Sequence, residues 1–200
     1  MKRPGPIARL LLGFTLLYGL LIAPWPGWND AYGGYFRALG RASFPDSGGR
    51  RLIRFEAAHT GQTSIDTSIT IANRDKADAK GHIPAEVLGL DTRSVGWVPT
   101  ALIAALTAAS PVPWRRRLWA LAWGLLLVHL FILLSVSCYI WDESADLALT
   151  TISPFWKVVA DGLVETLITQ LGVSFVAPAL IWVIVTFRVR DFRAIQGVVG

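Results

Sequence analysis

Residues 118–141, LWALAWGLLLVHLFILLSVSCYIW, run for twenty-four positions without a formal charge. A helix of that length rises about 36 Å, enough to cross a hydrocarbon core of about 30 Å with some tilt. Arg115, Arg116 and Arg117 stand just before the stretch, and Asp142 and Glu143 follow it. Cytoplasmic ends of membrane spans carry the excess of Lys and Arg, so the basic end is expected in the cytoplasm.

Working outward, three further apolar blocks are expected to span. Ile7 to Pro24 follows Lys2 and Arg3; the APWPGW after it has no small-x-small cleavage site, so it reads as an uncleaved signal anchor. Trp97 to Ser110 is short and rich in Ala and Thr, but Trp97 and Trp114 lie seventeen residues apart, about 26 Å at helical rise, and bracket it like interfacial anchors. Its small residues suit packing against other helices. Leu163 to Phe187 contains Glu165, Gln170 and Pro178, which predicts a polar first half and a kink.

The 53 % hydrophobic and 16 % charged composition lies outside the soluble balance and agrees with a membrane protein. Nine basic residues (Lys2, Arg3, Arg9, Arg115–Arg117, Arg188, Arg190 and Arg193) flank the proposed cytoplasmic span ends against one acid, Asp191. The expectation is therefore an all-α membrane protein of four transmembrane helices with both termini cytoplasmic. Between the first and second helices it carries a small extracytoplasmic α+β loop domain containing a β-hairpin. The chain divides as 1–24 (N-terminus and first helix), 25–95 (periplasmic loop domain) and 96–200 (helices two to four with the C-terminus).

Residues 25–95 hold nine basic and eight acidic residues, so the loop is not a polybasic surface and the net +5 does not argue for nucleic acid. Within it, Tyr32, Phe36, Leu39 and Ser43 recur at helical spacing, which predicts an amphipathic helix over Trp28–Phe44 lying on the membrane. The segments RLIRFEAA (51–58) and IDTSITIA (65–72) alternate with β-branched residues and read as a hairpin, and HIPAEVLGL (82–90) as a third strand. A second outer loop over Asp142–Gly162 carries the aromatic pair Phe155 and Trp156, expected at the interface.

Four polar residues are candidates for function. Cys138, the only cysteine, has no basic residue within a helical turn to activate it, and His129 lies nine residues earlier, about 13 Å along one helix. A small apolar filler is the reading for Cys138. His129, at mid-membrane, needs a hydrogen-bond partner, with Thr107 and Ser174 at matching depth, and reads as a packing histidine; its alternatives are a proton relay or a substrate contact. Asp161 and Glu165 stand four apart at the start of the fourth block and could bind a cation or an arginine, or simply favour a helix N-terminus. His59 and His82 have no second ligand at metal spacing, so no metal or cofactor is expected.

The stretch DTRSVGWVPTALIAALTAASPVPWRRRLWALAWGLLLVHLFILL, residues 91–134, orders aromatic-x-Pro, a short Ala-Leu helix, Ala-x-Pro-x-Pro-Trp, a basic triplet and a long apolar helix. In this it resembles small membrane proteins encoded beside exosortases, especially the exosortase H-associated membrane protein. Pro178 and Ile181-Trp182 with the basic end fit the same outline. The resemblance implies an auxiliary role in the bacterial inner membrane, beside an exosortase or another membrane protein. Exosortases themselves use Cys, Arg and His, and the missing basic neighbours of Cys138 give no ground to transfer that activity. The functional expectation is a non-enzymatic accessory or scaffold whose periplasmic loop meets a partner or an exported substrate, in contact with the lipid bilayer. Its competitors are a small intramembrane enzyme using Cys138 and a proton-coupled transporter subunit using His129 and Glu165.

Overall fold

The computed structural model describes residues 5–46, 48–58, 65–78, 80–150, 153–165 and 171–187. Six α-helices are described: α1 (Pro6–Ile22), α2 (Trp28–Ser43), α3 (Val98–Ala109), α4 (Trp114–Asp146), α5 (Pro154–Val164) and α6 (Leu171–Thr186). Three strands, β1 (Arg51–Ala57), β2 (Thr67–Asn73) and β3 (Ala85–Leu90), lie between α2 and α3. The chain forms two compact units: one from Met1–Ala23, Val98–Phe131 and Ser174–Gly200, the other from Pro24–Trp97 and Ile132–Val173. Thus α4 contributes its first half to one unit and its second half to the other.

The four-span architecture is corrected here. Among the described residues only α4 is long and apolar enough to cross a membrane; Ala8–Ile22 and Phe175–Thr186 are shorter apolar helices. At helical rise the 17 residues of α1, 12 of α3 and 16 of α6 reach about 26, 18 and 24 Å, against a core of about 30 Å. The apolar blocks overstated these helices because they counted residues that fold otherwise. Trp97 closes a π-helical turn over Arg93–Trp97, Ser110 lies in the bend after α3, and the block from Leu163 begins at the end of α5 and continues in α6. The cytoplasmic placement of both termini rests on the basic residues at the span ends, of which Lys2, Arg3, Arg188, Arg190 and Arg193 lie outside the described residues.

In the first unit, α3 buries Ala101, Ile103, Ala105 and Thr107 completely, and a Cβ on Gly13 of α1 would sit 3.6 Å from that of Ala109. Small side chains let these helices approach closely. The end of α3 is capped by Arg117, whose Nη2 donates to the carbonyl of Ser110 at 2.8 Å, while Trp182 Nε1 of α6 donates to Ser110 Oγ at 2.9 Å. A cation on the last carbonyls of a helix is favourable to its dipole. One arginine of the triplet is therefore a structural cap.

The second unit is built on an antiparallel sheet of order β1-β2-β3. The segments read as hairpin and third strand correspond to these three strands. Alternation puts Ile53, Phe55, Ile69, Ile71 and Leu90 in the core, all at 5 % exposure or less. Helix α2 does not lie on a membrane surface by this face: Tyr32, Gly33, Phe36 and Gly40 are buried in the unit. Phe36, Leu39 and Gly40 of α2, Phe55 of β1, and Ile132, Leu133 and Val136 of α4 meet around one small interior gap. Trp97 packs edge-on to Trp28 at 4.8 Å and near Tyr32 at 5.5 Å.

Gly40 is required by a close approach: a Cβ there would stand 2.5 Å from the Phe55 ring, whereas one on Gly34 meets only Arg37 Nη2 at 4.0 Å. Replacing each by Ala should therefore have opposite effects. Gly40→Ala is expected to destabilise the protein by about 1–3 kcal/mol through overpacking, and Gly34→Ala to stabilise it by about 0.5–1 kcal/mol through helix propensity. Unfolding titrations of the two variants in mild detergent check this, and equal effects of the same sign would contradict the packing.

Candidate functional site

The polar side chains of the second unit are largely committed to holding it together. Asp66 accepts from Thr92 at both carboxylate oxygens, from the amide at 3.2 Å and the hydroxyl at 2.6 Å. Arg37 of α2 donates to the Asp66 carbonyl and to Thr67 Oγ1 at 3.2 and 3.1 Å. Asn73, fully buried at the end of β2, donates to the carbonyl of Leu147 at 2.9 Å. Buried polar groups need such partners, and these bonds join α2 and the chain after α4 to the sheet.

A second cluster gathers around Lys157. Its Nζ lies 2.6 Å from Asp142, 3.0 Å from Asp146 and 3.1 Å from Asp161, and so ties α5 to the acidic end of α4. Asp142 is 8 % exposed, whereas the side chains of Asp146 and Asp161 are more than half exposed. Burial opposes the charge on Lys157, but hydrogen bonds from its ammonium to Asp142, Asp146 and Asp161 outweigh it and hold the group protonated above its ordinary range. On α5, Phe155, Trp156 and Val158 are 68, 53 and 71 % exposed. The helix thus has an anchored cation and an open aromatic surface.

The candidates read from sequence are not brought into one constellation. His129 Nδ1 stands 2.8 Å from the carbonyl of Leu125 on its own helix; a carbonyl only accepts, so Nδ1 carries the hydrogen in that contact. Thr107, one expected partner, has a buried hydroxyl with no hydrogen bond, and the side chain of Ser174 lies outside the described residues. Cys138 is half-buried and free. Asp161 turns to Lys157, four residues earlier, instead of pairing with Glu165, which is exposed. His59 lies outside the described residues, and among those described no group of three His, Cys, Asp or Glu could hold a metal ion.

The feature sequence reasoning missed is an open groove of about 430 Å³ beside β1. It is lined by Ile53, Arg54, Phe55 and Glu56 of the strand and by Arg41, Phe44, Pro45 and Asp46 from the end of α2 and the chain after it. Arg41 Nη1 reaches the carbonyl of Phe55 at 3.2 Å. Asp46 is taken by Arg74 at 2.7 Å, and that hydrogen bond, with one from the Gly48 amide, holds its carboxyl below the usual range. No local pattern marks this groove, because its two walls come from segments joined only by folding.

Comparison with known protein families, with curated proteins and with solved structures finds no match to this chain.

The Lys157 cluster generates a graded expectation. Lys157→Met leaves the buried Asp142 without its cation and should cost about 1–3 kcal/mol, while Asp146→Asn or Asp161→Asn, on exposed partners, should each cost less than about 1 kcal/mol. Because the lysine is raised in the folded state, its contribution is fully present below the unfolded lysine value of about 10.4 and fades only above it. Burial already raises the Asp142 carboxyl and loss of the cation raises it further, so the Lys157→Met penalty, measured by unfolding in detergent, should not fall between pH 6 and pH 9. A penalty that falls markedly over that interval would refute the assignment.

Proposed function

We propose that this chain is a membrane-tethered accessory protein, non-enzymatic, in which α4 crosses the bilayer, residues 98–113 return the chain beside it with α3 packed on α1 instead of facing lipid, and the sheet-containing unit engages a partner protein outside the cytoplasm. The observation that carries the reading is the surface of α4. Trp119, Trp123, Leu126, Leu130 and Leu134 are 69, 53, 48, 51 and 57 % exposed, and they recur at three- to four-residue steps along it. Such a stripe of large apolar side chains is not left to water in a soluble monomer. The opposite positions, Ala120, Val128, Ile132, Val136 and Ile140, are at most 4 % exposed and supply protein packing.

Orientation follows from the ends of the helix: Arg115, Arg116 and Arg117 at its start and Asp142, Glu143 and Asp146 at its finish favour a cytoplasmic N-terminal end. The resemblance of residues 91–134 to the companions of exosortases gives the partner its class, a membrane protein of an export or sorting system. A structural role for Cys138 and His129 accords with the lack of a basic residue within a helical turn of the first in sequence and with the local carbonyl contact of the second.

Thiol labelling in cells with a permeabilised outer envelope tests both parts. In a Cys138→Ser background, Lys80→Cys should react with a membrane-impermeant maleimide, and Arg115→Cys should react only after the inner membrane is broken. The reverse pattern, or equal labelling, would contradict the tether. In the unaltered chain, rapid reaction of Cys138 well below pH 8 would favour the enzyme reading instead.

A further inference from the structure

The backbone register of β1 shows what its groove is built to take. The amide of Ala58 donates to Asp66 and that of Arg74 to the carbonyl of Arg50, and the register pairs Arg54 with Thr70. Even-numbered residues of β1 therefore direct their N–H and C=O groups to β2, and odd-numbered ones direct theirs away from it. Ile53 and Phe55 are the odd residues that line the groove. The Phe55 carbonyl, turned outward, accepts from Arg41, which confirms the parity and shows a guanidinium standing where another strand's amide would donate.

We infer that this edge of β1 is a strand-addition site for an extended segment of a partner polypeptide that carries acidic and apolar side chains in alternation. An extended chain matches the main-chain donors and acceptors of Ile53 and the Phe55 N–H at strand spacing, which no compact ligand does. The apolar side chains settle against Phe44, Pro45 and the rims of Ile53 and Phe55. Charge decides the other positions: Arg41 and Arg54 line the groove, and of the two acids there Asp46 is already neutralised by Arg74, leaving Glu56 alone. When the segment pairs with β1, Arg41 leaves the Phe55 carbonyl and meets an acidic side chain of the incoming strand. In the empty state the same arginine guards the edge, as charged residues do on strands that must not pair indiscriminately.

This deepens the proposed partner-binding role and rests on it. The test uses the full chain in nanodiscs and a blocked hexapeptide alternating Glu and Val, with a Lys and Val hexapeptide as comparison, read by amide hydrogen exchange and by titration. Saturating Glu/Val peptide should slow exchange at Ile53 and Phe55 at least tenfold and leave Arg54, already bonded to β2, unchanged; the Lys/Val peptide should bind at least tenfold more weakly. Ile53→Pro removes an outward N–H but no bond to β2, so it should abolish binding while the Arg54 amide keeps its protection. Arg41→Gln should weaken binding with the Arg54 amide likewise protected. No added protection at Ile53 and Phe55, equal affinity for both peptides, or binding that survives Ile53→Pro would overturn the site. None of those results alters the thiol-labelling pattern, so failure of this site and failure of the tether are distinguishable.

Discussion

Thirty-three residues of continuous helix give α4 a length of about 50 Å, roughly 20 Å more than a hydrocarbon core. The charged residues Arg115–Arg117 and Asp142, Glu143 and Asp146 take up its ends, and the uncharged stretch 118–141 between them, about 36 Å, has one side covered by protein. The division of α4 between the two units supplies that cover: Ala120 and Val128 are buried in one, and Ile132, Val136 and Ile140 in the other. Because α4 is one continuous helix, the element that packs in the first unit is also a wall of the sheet-containing unit. A marginal three-stranded sheet thereby gains the apolar surface it could not supply for itself.

The polar interactions of the sheet-containing unit follow from that sharing. Asn73 fastens the end of β2 to Leu147, just beyond α4, and Lys157 fastens α5 to Asp142 within it. Each contact satisfies a group that burial would otherwise penalise. With Asp66 and Arg37 engaged in the same way, the chemistry of this unit is spent on shape, which leaves the backbone edge of β1 and the aromatic side of α5 as its outward features.

Sequence periodicity located the strands because alternation with Ile53, Phe55, Ile69 and Ile71 has no competing explanation. It also found Tyr32 and Phe36 as one helical face, but assigned that face to a membrane when its cover is Phe55 and the aromatic ring of Trp97. The same ambiguity defeated the count of spans. A Trp beside Pro, or an Ala-rich block, reads alike whether its neighbour is a headgroup or another helix, and hydropathy does not separate the half of α4 in the first unit from the half that closes a protein core. The Lys157 cluster was half legible: Lys157 and Asp161 are four apart on one helix, but Asp142 and Asp146 arrive only through tertiary packing.

The central claim, that one helix passes from lipid into a protein core, is tested most directly by spin labels placed singly at Leu118, Trp123, Leu126, Leu130, Leu134 and Glu143 of α4 in bilayers. Accessibility to oxygen should dominate over accessibility to a polar nickel reagent from Leu118 through Leu130, and the balance should reverse by Glu143. Nickel accessibility throughout would contradict a membrane-crossing α4, and oxygen dominance persisting through Glu143 would contradict its emergence into the sheet-containing unit.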